Sequence, residues 1–114
     1  MFNRKNKKPA SKRKQAKTEK EFSRNEFRRN KVSGHPAYIY AKVGDEYKFI
    51  GLTHSPITRN VKNIKLEKNP NPKDTSAAYF SPFPNQQKQN KFKNREIGWS
   101  FSKVDEKRIN RYKK

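Results

Sequence analysis

Between residues 37 and 54, two apolar, β-favouring runs lie on either side of a Gly-Asp turn signal, and the chain has this arrangement nowhere else. Ala37, Ile39, Ala41 and Val43 alternate with Tyr38, Tyr40 and Lys42; after Gly44 and Asp45, Tyr47, Phe49 and Gly51 alternate with Lys48, Ile50 and Leu52. Period-two alternation rich in β-branched and aromatic residues reads as strand. Glycine at the first central position of a tight turn supplies the positive φ that such turns require. The chain is therefore expected to be organised around a central β-hairpin. A two-residue loop pairs Val43 with Glu46, Ile39 with Ile50 and Tyr40 with Phe49, giving one aliphatic and one aromatic face and setting His54 opposite His35. A three-residue loop pairs Val43 with Tyr47 instead, and the sequence is compatible with both.

Punctuation around the hairpin defines the rest of the fold. Gly34 and Pro36 break any helix and make residues 32–36 a linker. Pro56 ends the second strand, because it brings no ladder donor, and residues 57–60 read as a loop. Residues 61–67 are a third strand candidate, with Ile64 and Leu66 on one face. Residues 69–74, rich in Asn and Pro, are a turn or loop. Residues 77–83 are a fourth strand candidate whose Pro82 places its end at a sheet edge. Residues 85–96 are polar and without periodicity, and so read as a long exposed loop. Ile97, Trp99 and Phe101 alternate as a short final strand or anchoring segment, with the single tryptophan closing the core. Ser102 has N-cap chemistry and Asp105 lies near the helix start, where negative charge is favourable. A helix from residue 103 to about 112 then places Val104, Ile109 and Tyr112 on one face with Phe101. The expected fold class is α+β: a small antiparallel sheet of three to five strands with a C-terminal helix, spanning residues 32–114. A basic arm, residues 1–31, precedes it as a disordered or partly helical segment. Within it, residues 18–30 read as a frayed helix, because Thr18 and Glu21 have capping-box spacing.

Charge separates these regions. Residues 1–31 hold 13 Lys+Arg against 3 Glu, residues 32–84 hold 7 basic against 4 acidic, and residues 85–114 hold 10 basic against 3 acidic, within a chain of 114 residues and net charge +20. The near-neutral middle is the expected core, and both ends carry a field that attracts polyanions. Nucleic acid, RNA ahead of DNA, is the expected partner. Its phosphates would be contacted by Lys5, Lys7, Lys8, Lys12, Arg13 and Lys14 in the arm, by Arg28, Arg29 and Arg59, and by Lys107, Arg108 and Arg111 on the C-terminal helix. With no cysteine, the chain has no disulfide, thiolate nucleophile or Cys-based zinc site, which suits a reducing, cytoplasmic setting. Its apolar runs are too short for a membrane span. No metal or other cofactor is expected: the four acidic residues of the middle are sparse for a Mg²⁺ site, and two histidines without cysteine are poor zinc ligands.

Three function classes fit these features. The first is a nucleic-acid-binding protein that acts through phosphates. The second is a metal-independent endoribonuclease, which needs a base for the 2′-OH, an acid for the leaving oxygen and cations for the developing charge. His35 and His54 are the candidate acid–base pair, with Thr53, Ser55 and Arg59 as neighbouring donors. The third is a structural component of a ribosome or a viral capsid. The aromatics Tyr38, Tyr40, Tyr47 and Phe49 either form an exposed stacking face for bases or pack beneath the C-terminal helix and Trp99; the shortage of aliphatic residues favours packing.

Overall fold

A computed structural model describes residues 25–114. The strands are β1 (Glu26–Asn30), β2 (Pro36–Val43), β3 (Glu46–Thr53), β4 (Ile57–Thr58), β5 (Val61–Lys62), β6 (Ile64–Lys65), β7 (Tyr79–Phe80), β8 (Asn85–Lys88) and β9 (Phe92–Arg95). A 3-10 turn, Gln89–Lys91, joins β8 to β9, and the helix α1 spans Lys103–Asn110. The class is α+β, as expected, but among the described residues the antiparallel sheet has seven strands, with a separate two-stranded β4–β5 hairpin. The expected count fell short because polar segments joined the sheet.

The central hairpin has the two-residue loop. Val43 pairs with Glu46, Lys42 with Tyr47 and Ala41 with Lys48, and Gly44 takes φ +60°. Beyond Ala41 the register slips by one at Tyr40, so Ile39 faces Phe49 and Tyr38 faces Ile50. An extra residue in one strand of an antiparallel pair is a β-bulge, and it moves every later side chain by one step of the pleat. The expected Ile39–Ile50 and Tyr40–Phe49 pairs are therefore absent. Aliphatic and aromatic side chains mix on both faces.

The sheet is tightly curled, and chain connectivity requires it. β8 pairs with β3, β9 pairs with β1, and β1 and β2 complete the path between them. A flat sheet would hold its first and fifth strands about 19 Å apart, at about 4.8 Å per step. Yet only Gln89–Lys91 separates β8 from β9, a link that reaches at most about 14 Å when extended. The curl encloses Ala37, Ile39, Tyr47, Phe49 and Phe92 on the concave side. Tyr47 and Phe49 each meet Phe92 edge-on, at 5.5 and 5.1 Å between ring centroids.

A larger core fills the other face: Phe27, Tyr38, Ile50, Leu52, Leu66, Ala78, Phe80 and Ile109. α1 covers it through Ile109, and Phe101, Trp99 and Tyr112 pack at its rim. Ser102 caps the helix by accepting the Asp105 amide. The Asp105 carboxylate turns away from the helix axis and accepts the amides of Glu67 at 2.8 Å and Lys68 at 3.1 Å. It thereby pins α1 to the segment after β6.

Several expectations are corrected here. Residues 26–30, read as part of a helical arm, form a strand with Phe27 in the core, so the folded unit starts upstream of residue 32. Residues 18–24 of that expected helix lie outside the described residues. The supposed loop 85–96 supplies β8 and β9. The supposed loop 57–60 is half of the β4–β5 hairpin. Residues 61–67 divide between β5 and β6, and only Tyr79 and Phe80 of the fourth candidate are strand. Residues 97–101 contribute no strand; Trp99 and Phe101 anchor there while Ile97 is exposed. Val104 points to solvent, and the helix ends at Asn110.

Candidate nucleic-acid interface

The start of β2 and the end of β3 lie side by side, and this brings the two histidines together by a different route from the expected pairing. β2 begins at Pro36, so His35 is outside the ladder; the slipped register, continued outward, would set Thr53 across from it. His35 and His54 nevertheless line one small depression of about 120 Å³, together with Arg29 and Asp74. His54 Nε2 lies 2.9 Å from Asp74 Oδ2. Asp74 Oδ1 accepts the Ser76 amide at 3.0 Å and also the Ser76 hydroxyl. These two Ser76 donors, and then His54, hold the Asp74 carboxyl well below the usual carboxylate range. The carboxylate thus fixes the His54 ring through Nε2, and Nδ1 is the ring nitrogen that this contact does not use. Asp74 and Ser76 escaped sequence reading because an Asp after an Asn-Pro run is also a common turn residue.

The cations distribute unevenly. Lys5, Lys7, Lys8, Lys12, Arg13 and Lys14 lie outside the described residues. Arg29 is half-buried and donates from Nη1 to the Gly34 carbonyl at 2.7 Å, on the rim of the histidine depression. Lys107 on the C-terminal helix and Arg111 at its C-cap are exposed, while Arg108 is half-buried and bonded to Asp105 at 3.2 Å. Arg59 is exposed at the tip of the β4–β5 hairpin. Arg59 and Asn60 take φ of 51° and 68°, the left-handed pair of a type I′ turn. Thr53 and Ser55 are engaged in local turns: Ser55 Oγ donates to the Ile57 carbonyl and Thr53 Oγ1 accepts the Ser55 amide.

Arg28 differs from the other cations. It is 3% exposed, on the concave side of β1. Its Nε is bonded to Glu26, its Nη1 donates to the Lys93 carbonyl at 3.1 Å, and its guanidinium lies 5.3 Å from the Tyr47 ring centre. Alternation along a strand sends Glu26, Arg28 and Asn30 to the face opposite Phe27, and the curl then buries them. Expected as a phosphate contact, Arg28 is instead held within the fold.

The aromatic alternatives are also separated. Tyr38, Tyr47 and Phe49 are buried and Tyr40 is half-buried, so these four form no exposed stacking face. Tyr38 packs against Phe101 at 4.8 Å, and the Tyr40 hydroxyl accepts the Lys114 amide.

Among the described residues, no three His, Asp or Glu side chains converge as metal ligands, and no helix is long and apolar enough to cross a membrane. Comparison with protein-family models, with curated proteins and with solved structures finds no match.

Proposed function

We propose that the protein binds nucleic acid, RNA ahead of DNA, chiefly through phosphates. The observation that carries this reading is charge placement. Residues 25–114 hold 20 Lys+Arg against 8 Asp+Glu, and four of those acids are engaged within the protein: Glu26 by Arg28, Asp45 by Lys88, Asp74 by His54 and Asp105 by Arg108. Internal pairing leaves an excess of cations for solvent, and residues 1–24 add 10 basic residues against 2 acidic. Such a surface binds polyanions by releasing their counterions. The test is a titration of RNA and duplex DNA across salt concentration. A slope of log K against log salt corresponding to several phosphate contacts is expected; a flat dependence rejects the reading.

A second reading rests on the histidine depression. With Asp74 orienting it, His54 Nδ1 is suited to accept the proton of a ribose 2′-OH. The 2′-oxygen then bonds to phosphorus as the P–O5′ bond breaks. A protonated His35 gives its proton to the departing 5′-oxygen, and Arg29 faces the phosphoryl charge. The products are a 2′,3′-cyclic phosphate and a 5′-hydroxyl, and water resets both imidazoles. Cleavage that persists in EDTA, yields the cyclic phosphate and is abolished by His54→Ala with binding retained is the expected signature. Intact RNA after prolonged incubation with the wild-type protein rejects it.

A further inference from the structure

Beside the histidine depression, and sharing His35 with it, runs a larger groove of about 540 Å³ between the β4–β5 hairpin and β8. That volume lies in the range of small-ligand sites. Arg59, Phe83, Asn85 and Gln87 border it.

The hydrogen-bond network determines which amide atoms remain available in this groove. Asn30 Oδ1 accepts the backbone amides of Val32 and Ser33. Its Nδ2 is therefore a donor, and it donates to Gln87 Oε1 at 2.7 Å. That commits the Gln87 carbonyl and leaves its Nε2 as the available group. Asn85 Oδ1 likewise accepts the Gln86 amide at 2.9 Å, leaving Asn85 Nδ2. Each assignment is forced, because a backbone N–H can only donate. The groove thus presents N–H donors from Asn85 and Gln87, and Arg59 lines the same groove.

Phe83 completes the site. It is 63% exposed, between Pro82 and Pro84, and its backbone is clipped on both sides by Ser81 Oγ, which accepts the Phe83 amide and donates to its carbonyl. An exposed ring on a fixed backbone is a stacking platform of the kind that single-stranded nucleic-acid binders use.

Deepening the phosphate-binding reading, and resting on it, we propose that this groove takes one unpaired base of a single strand. The base stacks on Phe83 and presents carbonyl oxygens to the Asn85 and Gln87 amide donors, so uracil and guanine are preferred over adenine. Guanine offers O6 and N7 as acceptors, and uracil offers its ring carbonyls, whereas adenine has no carbonyl oxygen and sets its exocyclic amine beside N7. The adjoining depression, with Arg29 and His54, is placed to receive a neighbouring phosphate.

The test compares labelled oligo-U and oligo-A of equal length by fluorescence anisotropy, with a duplex of the same length as reference. Wild type should favour oligo-U several-fold. Phe83→Ala should weaken single-strand binding about tenfold and leave duplex binding unchanged. Asn85→Asp and Gln87→Glu keep the internal carbonyl contacts but remove the donors, so the U-to-A ratio should fall to one. An effect of added negative charge alone would lower both affinities together and preserve the ratio. Equal binding of oligo-U and oligo-A by wild type, or a Phe83→Ala protein that binds as wild type does, overturns the groove while phosphate binding stands. Failure of every oligonucleotide and duplex to bind at low salt overturns both proposals.

Discussion

The carboxylate of Asp105 offers a sharp test of the architecture, because two accounts of it predict different magnitudes. As a third-position helix residue it could act through the helix dipole alone, worth about 0.3–1 kcal/mol. The tertiary structure assigns it more. Its side chain is fully buried and accepts three hydrogen bonds, from the Glu67 amide, the Lys68 amide and Arg108 Nη1. In Asp105→Asn one oxygen remains, and the new amide N–H₂ must face a backbone N–H. That arrangement leaves a buried donor unsatisfied, at about 1–3 kcal/mol, and removes charge assistance from the surviving bonds. The expected loss is about 2–4 kcal/mol, and Asp105→Ala should reach about 3–5 kcal/mol because it leaves Arg108 and both amides without their acceptor. Urea unfolding followed by the fluorescence of Trp99, the only tryptophan, gives the comparison directly. Ser102→Ala, which removes only the N-cap acceptor, should cost about 1 kcal/mol and serves as reference. If Asp105→Asn costs no more than Ser102→Ala, the pinning of α1 to residues 67 and 68 contributes little and the dipole account stands.

Four further expectations follow from the structure. Deleting residues 1–24 should preserve cooperative unfolding and lower RNA affinity at least about tenfold, whereas deleting 1–31 should abolish the unfolding transition, since it removes Phe27 and the strand that pairs with both β2 and β9. Burial, assisted by the nearby Glu106 charge, pushes the Tyr38 hydroxyl up to about 12. An unfolded tyrosine ionises near 10, so this contribution is complete below about pH 10 and is lost as pH rises towards 12, a change on the order of a few kcal/mol visible in alkaline unfolding curves. Arg28→Leu should cost about 3–5 kcal/mol by removing the guanidinium bonded to the buried Glu26 carboxylate, and Glu26→Leu with Arg28→Met together should cost less than that single change in chemical denaturation. Arg59→Gly should raise stability by up to about 1 kcal/mol by relieving a left-handed residue, while weakening RNA binding; a loss of stability would show that the arginine side chain supports the hairpin.

What could be read from the chain alone was local. The β2–β3 hairpin, its Gly44-Asp45 turn and the Ser102 cap each depend on residues a few positions apart, and their patterns are clean. The excess of positive charge is a property of composition and needed no fold to count. The shared neighbourhood of His35 and His54 was anticipated, although the pairing that suggested it does not occur.

Tertiary structure decided the rest, for identifiable reasons. The strand Glu26–Asn30 carries Glu26, Arg28 and Asn30 on one face, a pattern that resembles a solvated segment until the curled sheet buries those side chains together. Residues 85–88 are entirely polar, and they become a strand because β3 offers an unpaired edge there; edge pairing is made by backbone groups, which every sequence carries alike. The slip at Tyr40 has no signature in a single strand, yet it reassigns both faces of the hairpin. Asp74 meets His54 from twenty positions away in the chain, and the available donors of Asn85 and Gln87 are set by amides elsewhere in the fold. Local pattern determines which segments can be strands or helix; long-range pairing and burial determine which side chains share a site.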